Sequence, residues 1–501
     1  MHTLAELYQR IQSHQWQGKI GLSSEQHEIG SVELSERLLV CRSDLEARIK
    51  HNDVVLVTVE SNIESVTTIL TLWALGAVVV PVKSNVESTA LQAIAEDCNA
   101  RFLFQPTQAG LQPLASYRNQ VSSFVFHSTQ KVCGNDRALI IYTSGSTGNP
   151  KGIILTHANV IAALRAISEY LEIDAHERIL NISPLSFDYG LYQVLFAIYC
   201  DCSVLLYDEN VNPITLVKAI EKHQISLVPA LPVIATLLAK GVALCKKSLP
   251  SLRKLTNTGG HLDESTIDAL LEQFPQLHIY AMYGLTESKR ALYLPPQDIL
   301  RKRGSVGIPM PGLEAKVFNE VRQEDGSSCY IEAQPGEIGH LFVRGPSVMQ
   351  GYTRTDSDAG ARLIAGHYRD DNWLDTGDLF MQDEDGYFFF KGRAKELIKQ
   401  GGYCLYAADI EKAVLAHAQI QFASVVGTQD RFGNEVACLF IKLHDDSEQH
   451  EASAQQQKAV LDWIKLTLGN DYCPRIIKLV EDIKLSVNGK IDKKQMLAAY
   501  S

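Results

Sequence analysis

The chain has 501 residues, of which 46% are hydrophobic and 21% are charged, as in ordinary globular proteins with two to four structural units. Its formal net charge of -11 argues against nucleic acid or an anionic membrane surface as the partner. The longest apolar stretch, ILTLWALGAVVVPV at 69–82, is too short to span a bilayer, so we predict no membrane span.

Strand-like and helix-like runs alternate over the first two-thirds of the chain. Apolar runs such as DVVLVTVE at 53–60 predict buried strands, and the amphipathic runs between them predict helices. This alternation favours α/β layers with largely parallel sheets. The predicted strands lie at 53–60, 78–82, 101–105, 203–208 and 225–232, and the predicted helices at 64–76, 88–99, 214–224 and 233–244.

From about residue 305 the pattern changes to short strands separated by Gly and Asp turns, as in GEIGHLFVRG (336–345) and EDGYFFFKGR (384–393). This pattern predicts antiparallel β structure or a small β-barrel. The last hundred residues start a new turn–strand–helix pattern, which predicts a separate small α+β domain beginning near residue 396. Its polar segment at 444–458 is predicted to be an exposed loop that enters a helix.

The ten cysteines do not form a metal-binding pattern. Cys200 and Cys202 are the closest pair, and no second pair or histidine group lies at zinc spacing. The first residues, MHTLAELYQRIQSHQW, lack the basic-then-apolar layout of a secretory signal. We therefore expect reduced thiols and a cytoplasmic protein.

The segment YTSGSTGNPKG at 142–152 concentrates glycines and small hydroxyls between two apolar runs, at 138–141 and 153–156. Glycine lets backbone N–H groups close around oxygens, hydroxyls add donors, and Lys151 supplies charge, so phosphate is the expected partner. The spacing does not match the G-x-x-x-x-G-K-[ST] pattern of a P-loop. A P-loop NTPase is therefore excluded.

Further motifs follow this glycine loop in order: YGLTE (283–287), LDTGD (374–378), GRAKELIKQGGYCLYAADIE (392–411) and SVNGKIDKK (486–494). With the loop they resemble the adenylate-forming superfamily, which contains acyl-CoA synthetases, adenylation domains of non-ribosomal peptide synthetases and luciferase-like enzymes. The resemblance covers essentially the whole chain.

The resemblance implies a large N-terminal domain of layered α/β sheets plus a small β-barrel at 1–393, a hinge at 394–397, and a small mobile α+β domain at 398–501. It also implies a two-step ligase reaction that uses ATP and Mg²⁺. A carboxylate attacks the α-phosphate of ATP to give acyl-AMP and pyrophosphate, and a thiol then takes the acyl group.

The same resemblance assigns roles in nucleotide binding. The glycine loop would wrap the β- and γ-phosphates, Glu287 would be the magnesium ligand, and Asp378 would bind the ribose hydroxyls. The residues expected to bind ATP or AMP are Thr143, Ser144, Gly145, Ser146, Thr147, Gly148, Lys151, Gly259, Gly260, Tyr283, Gly284, Thr286, Asp378, Arg393 and Lys490. Those expected to take part in catalysis are Lys490, Glu287, Thr143 and Lys151.

Lys490 in NGKI would bridge the substrate carboxylate and the α-phosphate, where negative charge accumulates. Lys395 falls at the family's hinge position. Rotation of the small domain there would move Lys490 away from the α-phosphate and bring Gly401, Gly402 and Tyr403 to the thiol tunnel. The two half-reactions would therefore use opposite faces of one domain.

The segment PLSFDYGLYQ (184–193) matches the region that enters the acyl pocket, with Phe187, Asp188 and Tyr189 as its predicted pocket residues. Amino-acid-activating relatives carry an aspartate after phenylalanine here, which pairs with the substrate ammonium. We therefore predict an amino-acid substrate. The surrounding sequence looks more like stand-alone acyl-CoA ligases, so a small carboxylic acid without an amine stays open, as does a bond from Asp188 to local backbone.

The sequence contains no Gly-Gly-x-Ser carrier motif, so the thiol comes from outside the chain. We predict transfer to the phosphopantetheine of a separate carrier protein, with an AMP-forming acyl-CoA synthetase that uses free coenzyme A as the alternative. A degenerate relative that only binds nucleotide is disfavoured because Lys151, Glu287, Asp378, Arg393 and Lys490 are all intact.

Overall fold

The fold is described from a computed structural model. The structure describes residues 1–24, 27–105, 110–114, 131–144, 150–323, 328–354, 361–366, 371–401, 403–430, 432–443, 453–484 and 491–500. The chain divides into two compact units. The first unit comprises Met1–Lys316, Phe342–Thr376 and Asp385–Phe388, and the second comprises Val317–Leu341, Gly377–Glu384 and Phe389–Ser501.

The bounds of the regular elements follow chain order. The helices are α1 (Ala5–Gln12), α2 (Ser31–Leu45), α3 (Ile63–Ala74), α4 (Ser88–Asp97), α5 (His157–Tyr170), α6 (Asp188–Tyr199), α7 (Pro213–Lys222), α8 (Pro232–Cys245), α9 (Glu264–Gln273), α10 (Ala407–Leu415), α11 (Ser453–Thr467) and α12 (Lys493–Tyr500). The strands up to the middle of the chain are β1 (Ile20–Leu22), β2 (Glu28–Ile29), β3 (Val54–Val59), β4 (Val78–Lys83), β5 (Phe102–Gln105), β6 (Gly110–Pro113), β7 (Arg137–Ser144), β8 (Pro150–Thr156), β9 (Arg178–Asn181), β10 (Ser203–Leu206), β11 (Leu227–Ala230), β12 (Lys254–Asn257), β13 (His278–Tyr283), β14 (Leu292–Tyr293) and β15 (Ile308–Pro309). The remaining strands are β16 (Glu314–Arg322), β17 (Ser328–Glu332), β18 (Ile338–Arg344), β19 (Gly351–Tyr352), β20 (Arg362–Ala365), β21 (Asn372–Gln382), β22 (Phe388–Arg393), β23 (Ile398–Gln400), β24 (Tyr403–Leu405), β25 (Ile420–Gln429), β26 (Glu435–Leu443) and β27 (Ile476–Leu479).

Two sheets organise the first unit. One has nine strands in the order β15-β14-β13-β12-β11-β9-β10-β1-β2, and its members from β13 to β1 run parallel. The other has seven strands in the order β19-β8-β7-β4-β3-β5-β6. The parallel strands are short, apolar and buried, because helices cover sheets of this kind on both faces.

Local sequence signals set several helix starts in this unit. Asn62 caps α3 by accepting a hydrogen bond from the backbone N–H of Ser65. A capping box between Thr156 and Asn159 starts α5 directly after β8. A second capping box at Asn212, with a proline as the first helical residue, starts α7. These are the places where sequence and structure agree most closely.

The second unit has its own core. Strand β26 pairs with β25 in antiparallel and with β27 in parallel orientation, and α10 and α11 pack on this small sheet through Ile410, Val414, Val460 and Ile464. Strands β23 and β24 form a separate hairpin. The predicted helix after the polar segment is α11, while residues 444–452 of that segment lie outside the described residues. In the described parts of the chain no helix combines the length and apolarity that a bilayer crossing requires.

His157 at the start of α5 is fully buried in the first unit. Its Nδ1 accepts a hydrogen bond from the backbone N–H of Leu4 at 3.1 Å, so this nitrogen carries no proton. Burial lowers the pKa of His157 from 6.5 to about 4. The unfolded chain therefore binds more protons than the folded chain between these two values, and stability is lost as the pH falls through this window.

We predict that His157→Asn reduces the pH dependence of unfolding. The wild-type protein should lose about 2 kcal/mol more than the variant between pH 7 and pH 5, because one proton is taken up on unfolding across most of this window. Urea unfolding of both proteins at pH 7, 6 and 5 measures this difference. Parallel pH dependences would contradict the predicted neutral, buried imidazole.

Candidate active site

The candidate site is built where the carboxyl ends of parallel strands meet at one edge of the nine-stranded sheet. Strands β9, β12 and β13 end at Asn181, Asn257 and Tyr283, and the segments that follow them carry predicted site residues. The Asn181 side chain donates to the backbone oxygen of Gly190 at 3.1 Å, and the Asn257 side chain donates to that of Gly260 at 3.0 Å. Both amides fix the following segment to the sheet edge, which is where open α/β sheets bind ligands.

The loop between β13 and β14 carries the YGLTE motif and is tightly closed. The backbone N–H of Ala291 donates to the oxygen of Tyr283 at 2.9 Å, and that of Lys289 donates to the oxygen of Leu285 at 2.7 Å. A Cβ at Gly284 would lie 2.0 Å from the backbone oxygen of Lys289, so only glycine allows this closure. Lys289 itself has a φ of 69°, an unfavourable conformation for a lysine that the loop imposes.

Glu287 and Thr286 lie within this loop. The Glu287 carboxylate accepts a hydrogen bond from the Tyr352 hydroxyl at 2.7 Å. Burial raises the pKa of Glu287, while the Tyr352 hydroxyl bond opposes that rise. Tyr352 lies on β19, which pairs with β8, so Glu287 is connected to the strand that leaves the glycine loop. Thr286 is buried beside it.

Strands β7 and β8 form an antiparallel hairpin whose connection is the glycine loop. Thr143 pairs with Lys151 at the base of that loop. The Lys151 ammonium is buried and has no hydrogen-bond partner in the part of the chain that the structure describes. The predicted residues Gly145, Ser146, Thr147 and Gly148 lie outside the described residues, and of Ser144 only the strand pairing is described.

Asp97 anchors the base of the glycine loop. Its carboxylate, at the end of α4, accepts a hydrogen bond from the Tyr142 hydroxyl at 2.5 Å and a second from the Thr353 hydroxyl. It also forms an ion pair with Arg354. Since Tyr142 precedes Thr143 on β7, and Thr353 directly follows β19, Asp97 holds both strands that flank β8.

A predicted ATP-binding segment, which contains Gly259 and Gly260, follows β12. Gly259 has a φ of 79°, a conformation that favours glycine, and it turns the chain away from the sheet. Gly260 then faces Pro232 of α8; Tyr283 ends the neighbouring strand β13, and Gly284 follows it. These predicted ATP-binding residues therefore lie on adjacent segments at the same sheet edge.

Asp188, the predicted ammonium-binding residue, is the first residue of α6, and Phe187 is the N-cap of this helix. Asp188 is only 4% exposed. It already has a cationic partner within the chain, because the Lys289 ammonium lies 3.4 Å from its Oδ2 atom. Lys289 is equally buried, and its ammonium also lies 5.1 Å from the centre of the Tyr192 ring. The structure therefore pairs this carboxylate internally.

The neighbouring residues complete a buried polar cluster. The Tyr189 hydroxyl bonds to Thr256 of β12, which links α6 to the sheet. The Arg290 guanidinium lies 4.5 Å from the centre of the Tyr189 ring. A Cβ at Gly190 would lie 2.3 Å from the backbone oxygens of Ser183 and Pro184, so glycine is required where α6 meets the segment after β9.

The second unit carries the other predicted nucleotide residues. Asp378 on β21 and Arg393 at the end of β22 approach each other to 3.8 Å. Lys395 lies in a short 3₁₀ helix at Ala394–Glu396. Gly401 has a φ of 60° between β23 and β24, and Tyr403 is exposed. Gly402 and Lys490 lie outside the described residues.

Sequence reasoning missed the residues that support the predicted ones. These supporting residues are Tyr352, Asp97, Lys289 and Arg290, and none of them belongs to a motif. Lys289 and Arg290 lie in the stretch YGLTESKRALYLPP, where two adjacent cations beside an apolar strand indicate buried charges. The sequence around Tyr352 and Asp97 gives no such indication, because their partners are distant in the chain.

Two family models match this chain. The family model described as AMP-binding enzyme matches residues 12–353, and the model of the AMP-binding enzyme C-terminal domain matches residues 409–490. The chain belongs to the AMP-binding enzyme family. The predicted adenylate-forming resemblance is thereby confirmed.

Similar proteins of known name include CoA ligases. A probable CoA ligase of Humulus lupulus is 28% identical over 73% of this chain and 64% of its own length. A long-chain-fatty-acid–CoA ligase of Bacillus subtilis is 30% identical over 65% of this chain and 57% of its own length. The chain thus spans less than two thirds of the length of these two relatives.

Solved structures share the fold. ATP-bound MatB from Rhodopseudomonas palustris superimposes with a TM-score of 0.81 over 99% of both chains at 21% identity. The o-succinylbenzoate CoA synthetase of Bacillus subtilis in complex with AMP gives 0.79 over 98% of this chain and 97% of the other, also at 21% identity. The predicted mixed α/β fold class is confirmed.

We predict that Tyr352→Phe weakens the function of Glu287. Loss of the hydroxyl bond should raise the pKa of this carboxylate further, so less of it is ionised at neutral pH. A hydrogen bond to a charged group contributes about 1.5–3 kcal/mol, so ATP–pyrophosphate exchange should fall about 10-fold or more at pH 7 and recover partly at pH 9.

Tyr387→Phe is the matched control for this variant. The Tyr387 hydroxyl also donates to a carboxylate, Asp298 at 2.6 Å, but none of the predicted site residues is involved. Its exchange rate and pH profile should match those of the wild-type protein. Equal behaviour of the two variants would contradict a role for Tyr352 in holding Glu287.

Proposed function

We propose that the protein is an AMP-forming ligase that activates a small carboxylic acid and transfers the acyl group to coenzyme A. The acid carries no ammonium group that would pair with Asp188. The observation that carries this proposal is the buried Asp188–Lys289 ion pair. An acyl pocket that already neutralises its aspartate has no need of a substrate cation. The earlier amino-acid prediction stays open and is tested below.

The phosphate side of the proposal depends on Lys151 and Glu287. A buried ammonium without a hydrogen-bond partner in the described chain fits the phosphates of ATP, because charge-assisted bonds to phosphate oxygens would satisfy it. A partly buried carboxylate whose pKa is raised fits a hard cation, which would keep it ionised. Mg²⁺ bound there would neutralise charge on the phosphate oxygens. Tyr352 would orient the Glu287 carboxylate toward that position.

In the first half-reaction the family motifs give roles to three further residues. A substrate carboxylate oxygen forms a bond to the α-phosphorus of ATP, and the bond to pyrophosphate breaks. Lys490 would stabilise the negative charge of the two approaching anions, and Asp378 and Arg393 would bind the ribose. These roles are carried over from the family motifs. The domain boundaries at 1–393, 394–397 and 398–501 are proposed on the same basis.

In the second half-reaction a thiol sulfur attacks the acyl carbonyl carbon and AMP leaves. We propose that rotation about Lys395 brings Gly401, Gly402 and Tyr403 to the thiol. Coenzyme A is favoured as the acceptor over a carrier protein because the relatives named above are CoA ligases. A cytoplasmic site of action is part of the same proposal, since free coenzyme A is its second substrate.

ATP–pyrophosphate exchange across matched acids tests the proposal. The panel pairs aliphatic and aryl acids with amino acids of the same carbon skeleton, and product thioesters are then sought with free coenzyme A. We expect exchange with amine-free acids, at a rate at least about 10-fold above that of the matched amino acids, because a further cation beside Lys289 and Arg290 is unfavourable.

Asp188→Asn separates the two substrate classes. Exchange with an amino acid that is lost selectively in this variant would contradict the proposal and support ammonium recognition with a carrier partner. Asn is chosen over Ala because it keeps the shape of the side chain and leaves Lys289 a hydrogen-bond acceptor. ATP binding by the variant, measured calorimetrically, controls for loss of folding.

A further inference from the structure

We propose that the acid activated by this protein carries a second anionic group, most simply a second carboxylate, which binds to Arg290. This inference rests on the proposed function, because it names the class of acid that the same site accepts. The observations that carry it are the burial of Arg290, the lack of a carboxylate partner for it among the described residues, and the hydrogen-bonding group beside it.

Arg290 is a buried cation without an anionic partner in the described chain. Its side chain is 3% exposed, and its Nε atom is completely buried with no hydrogen-bond partner there. The guanidinium carbon lies 4.5 Å from the centre of the Tyr189 ring, so Arg290 makes a cation–π contact with this ring. Arginine is almost never buried to this degree unless it is paired, so a partner from outside the chain is expected.

Arg290 differs from Lys289 in its charge partners. Asp188 and Lys289 form a buried ion pair, and the Glu287 carboxylate, which accepts a hydrogen bond from Tyr352, also acts electrostatically on Lys289. Among the described residues no carboxylate lies at ion-pair distance from Arg290, whose charged group lies over the Tyr189 ring instead. An anionic ligand group would pair with this cation, whereas an ammonium would be repelled by it.

The Tyr192 hydroxyl supplies a second unsatisfied group. It is buried, has no hydrogen-bond partner among the described residues, and lies where both Asp188 and Arg290 influence its pKa. Burial and the Asp188 charge raise the pKa of Tyr192, so the phenol keeps its proton and is able to donate it. A guanidinium and a phenol that both donate match an acceptor-only group such as a carboxylate.

The chemistry of such a substrate divides between its two ends. One carboxylate oxygen attacks the α-phosphorus, releases pyrophosphate and forms the mixed anhydride. The other carboxylate forms no covalent bond and stays ionised against Arg290. A planar guanidinium binds a carboxylate through two parallel N–H bonds, which would fix the distance between the two ends and thereby select chain length.

Paired substrates provide the test. Wild-type protein is assayed by ATP–pyrophosphate exchange with straight-chain dicarboxylic acids of increasing length and with their monomethyl esters, which keep the length but remove the second charge. We expect kcat/KM for the best dicarboxylic acid to exceed that of its half-ester by about 10- to 100-fold, the usual range for a charge-assisted hydrogen-bonded pair.

Arg290→Gln and Arg290→Lys assign the preference to this residue. Arg290→Gln should bring the ratio of diacid to half-ester close to one, and Arg290→Lys should retain part of it, since the charge remains but the fork is lost. Arg37→Gln is the matched control, because Arg37 of α2 forms exposed ion pairs with Glu33 of α2 and Glu64 of α3, and the ratio of this variant should equal that of the wild type.

The outcomes separate this inference from the proposed function. Exchange with monocarboxylic acids and no preference for diacids would overturn the inference and leave the proposed function standing. An equal loss with every acid in Arg290→Gln would also overturn it, because Arg290 would then serve the nucleotide or the reacting carboxylate. Exchange with no acid at all would overturn both. The wild-type ratio needs no variant, so it stays informative if a substitution prevents folding.

Discussion

The ion pair between Asp188 and Lys289 joins the two segments that we propose to form the acyl side of the site. One partner begins α6, and the other lies in the tight loop after β13, where it adopts an unfavourable backbone conformation. Removing one member of a buried ion pair typically costs about 3–5 kcal/mol, because the remaining charge has no solvent and no partner. The pair therefore holds α6 against the YGLTE loop, and it fixes where Glu287 and Arg290 lie on either side of Lys289.

Buried polar groups without a hydrogen-bond partner among the described residues occur near both parts of the candidate site. Parallel strands end together, and the segments that follow them are free to carry chemistry while the strands stay apolar. The Arg290 Nε atom and the Tyr192 hydroxyl belong to the segments at the edge of the nine-stranded sheet, and the Lys151 ammonium lies on β8 at the base of the glycine loop. Natural folds rarely leave such groups buried without a ligand, so their presence indicates what the ligand supplies. Phosphate oxygens suit the Lys151 ammonium, and a carboxylate suits the other two groups.

Much of the fold was predictable from the sequence, whereas the partners within the site were not. The predicted strand at 53–60 corresponds to β3, and the predicted helix at 214–224 corresponds to α7. Both were predictable because the spacing of apolar residues and the helix caps are local features of the sequence. The roles that motif order assigns to Lys151, Glu287 and Asp188 stay predictions; the structure places these residues on β8, in the loop after β13 and at the start of α6. The identity of the partner of Asp188 was not accessible, since Lys289 lies 101 residues away and only the sheet topology brings them together. The same holds for Tyr352 and Glu287, which are 65 residues apart.

We propose that the acyl side of this site favours an anion over an ammonium, because Asp188 is already paired with Lys289 while Arg290 has no carboxylate partner among the described residues. The most direct measurement is the affinity of three acyl-sulfamoyl-adenosine analogues of equal chain length, ending in a methyl, a carboxylate or an ammonium group, by titration calorimetry. They mimic the acyl-adenylate without reacting, so differences in dissociation constant report the pocket alone. We expect the carboxylate analogue to bind most tightly and the ammonium analogue most weakly. Tightest binding of the ammonium analogue would contradict the proposed role of Arg290 and return Asp188 to the role of an ammonium receptor.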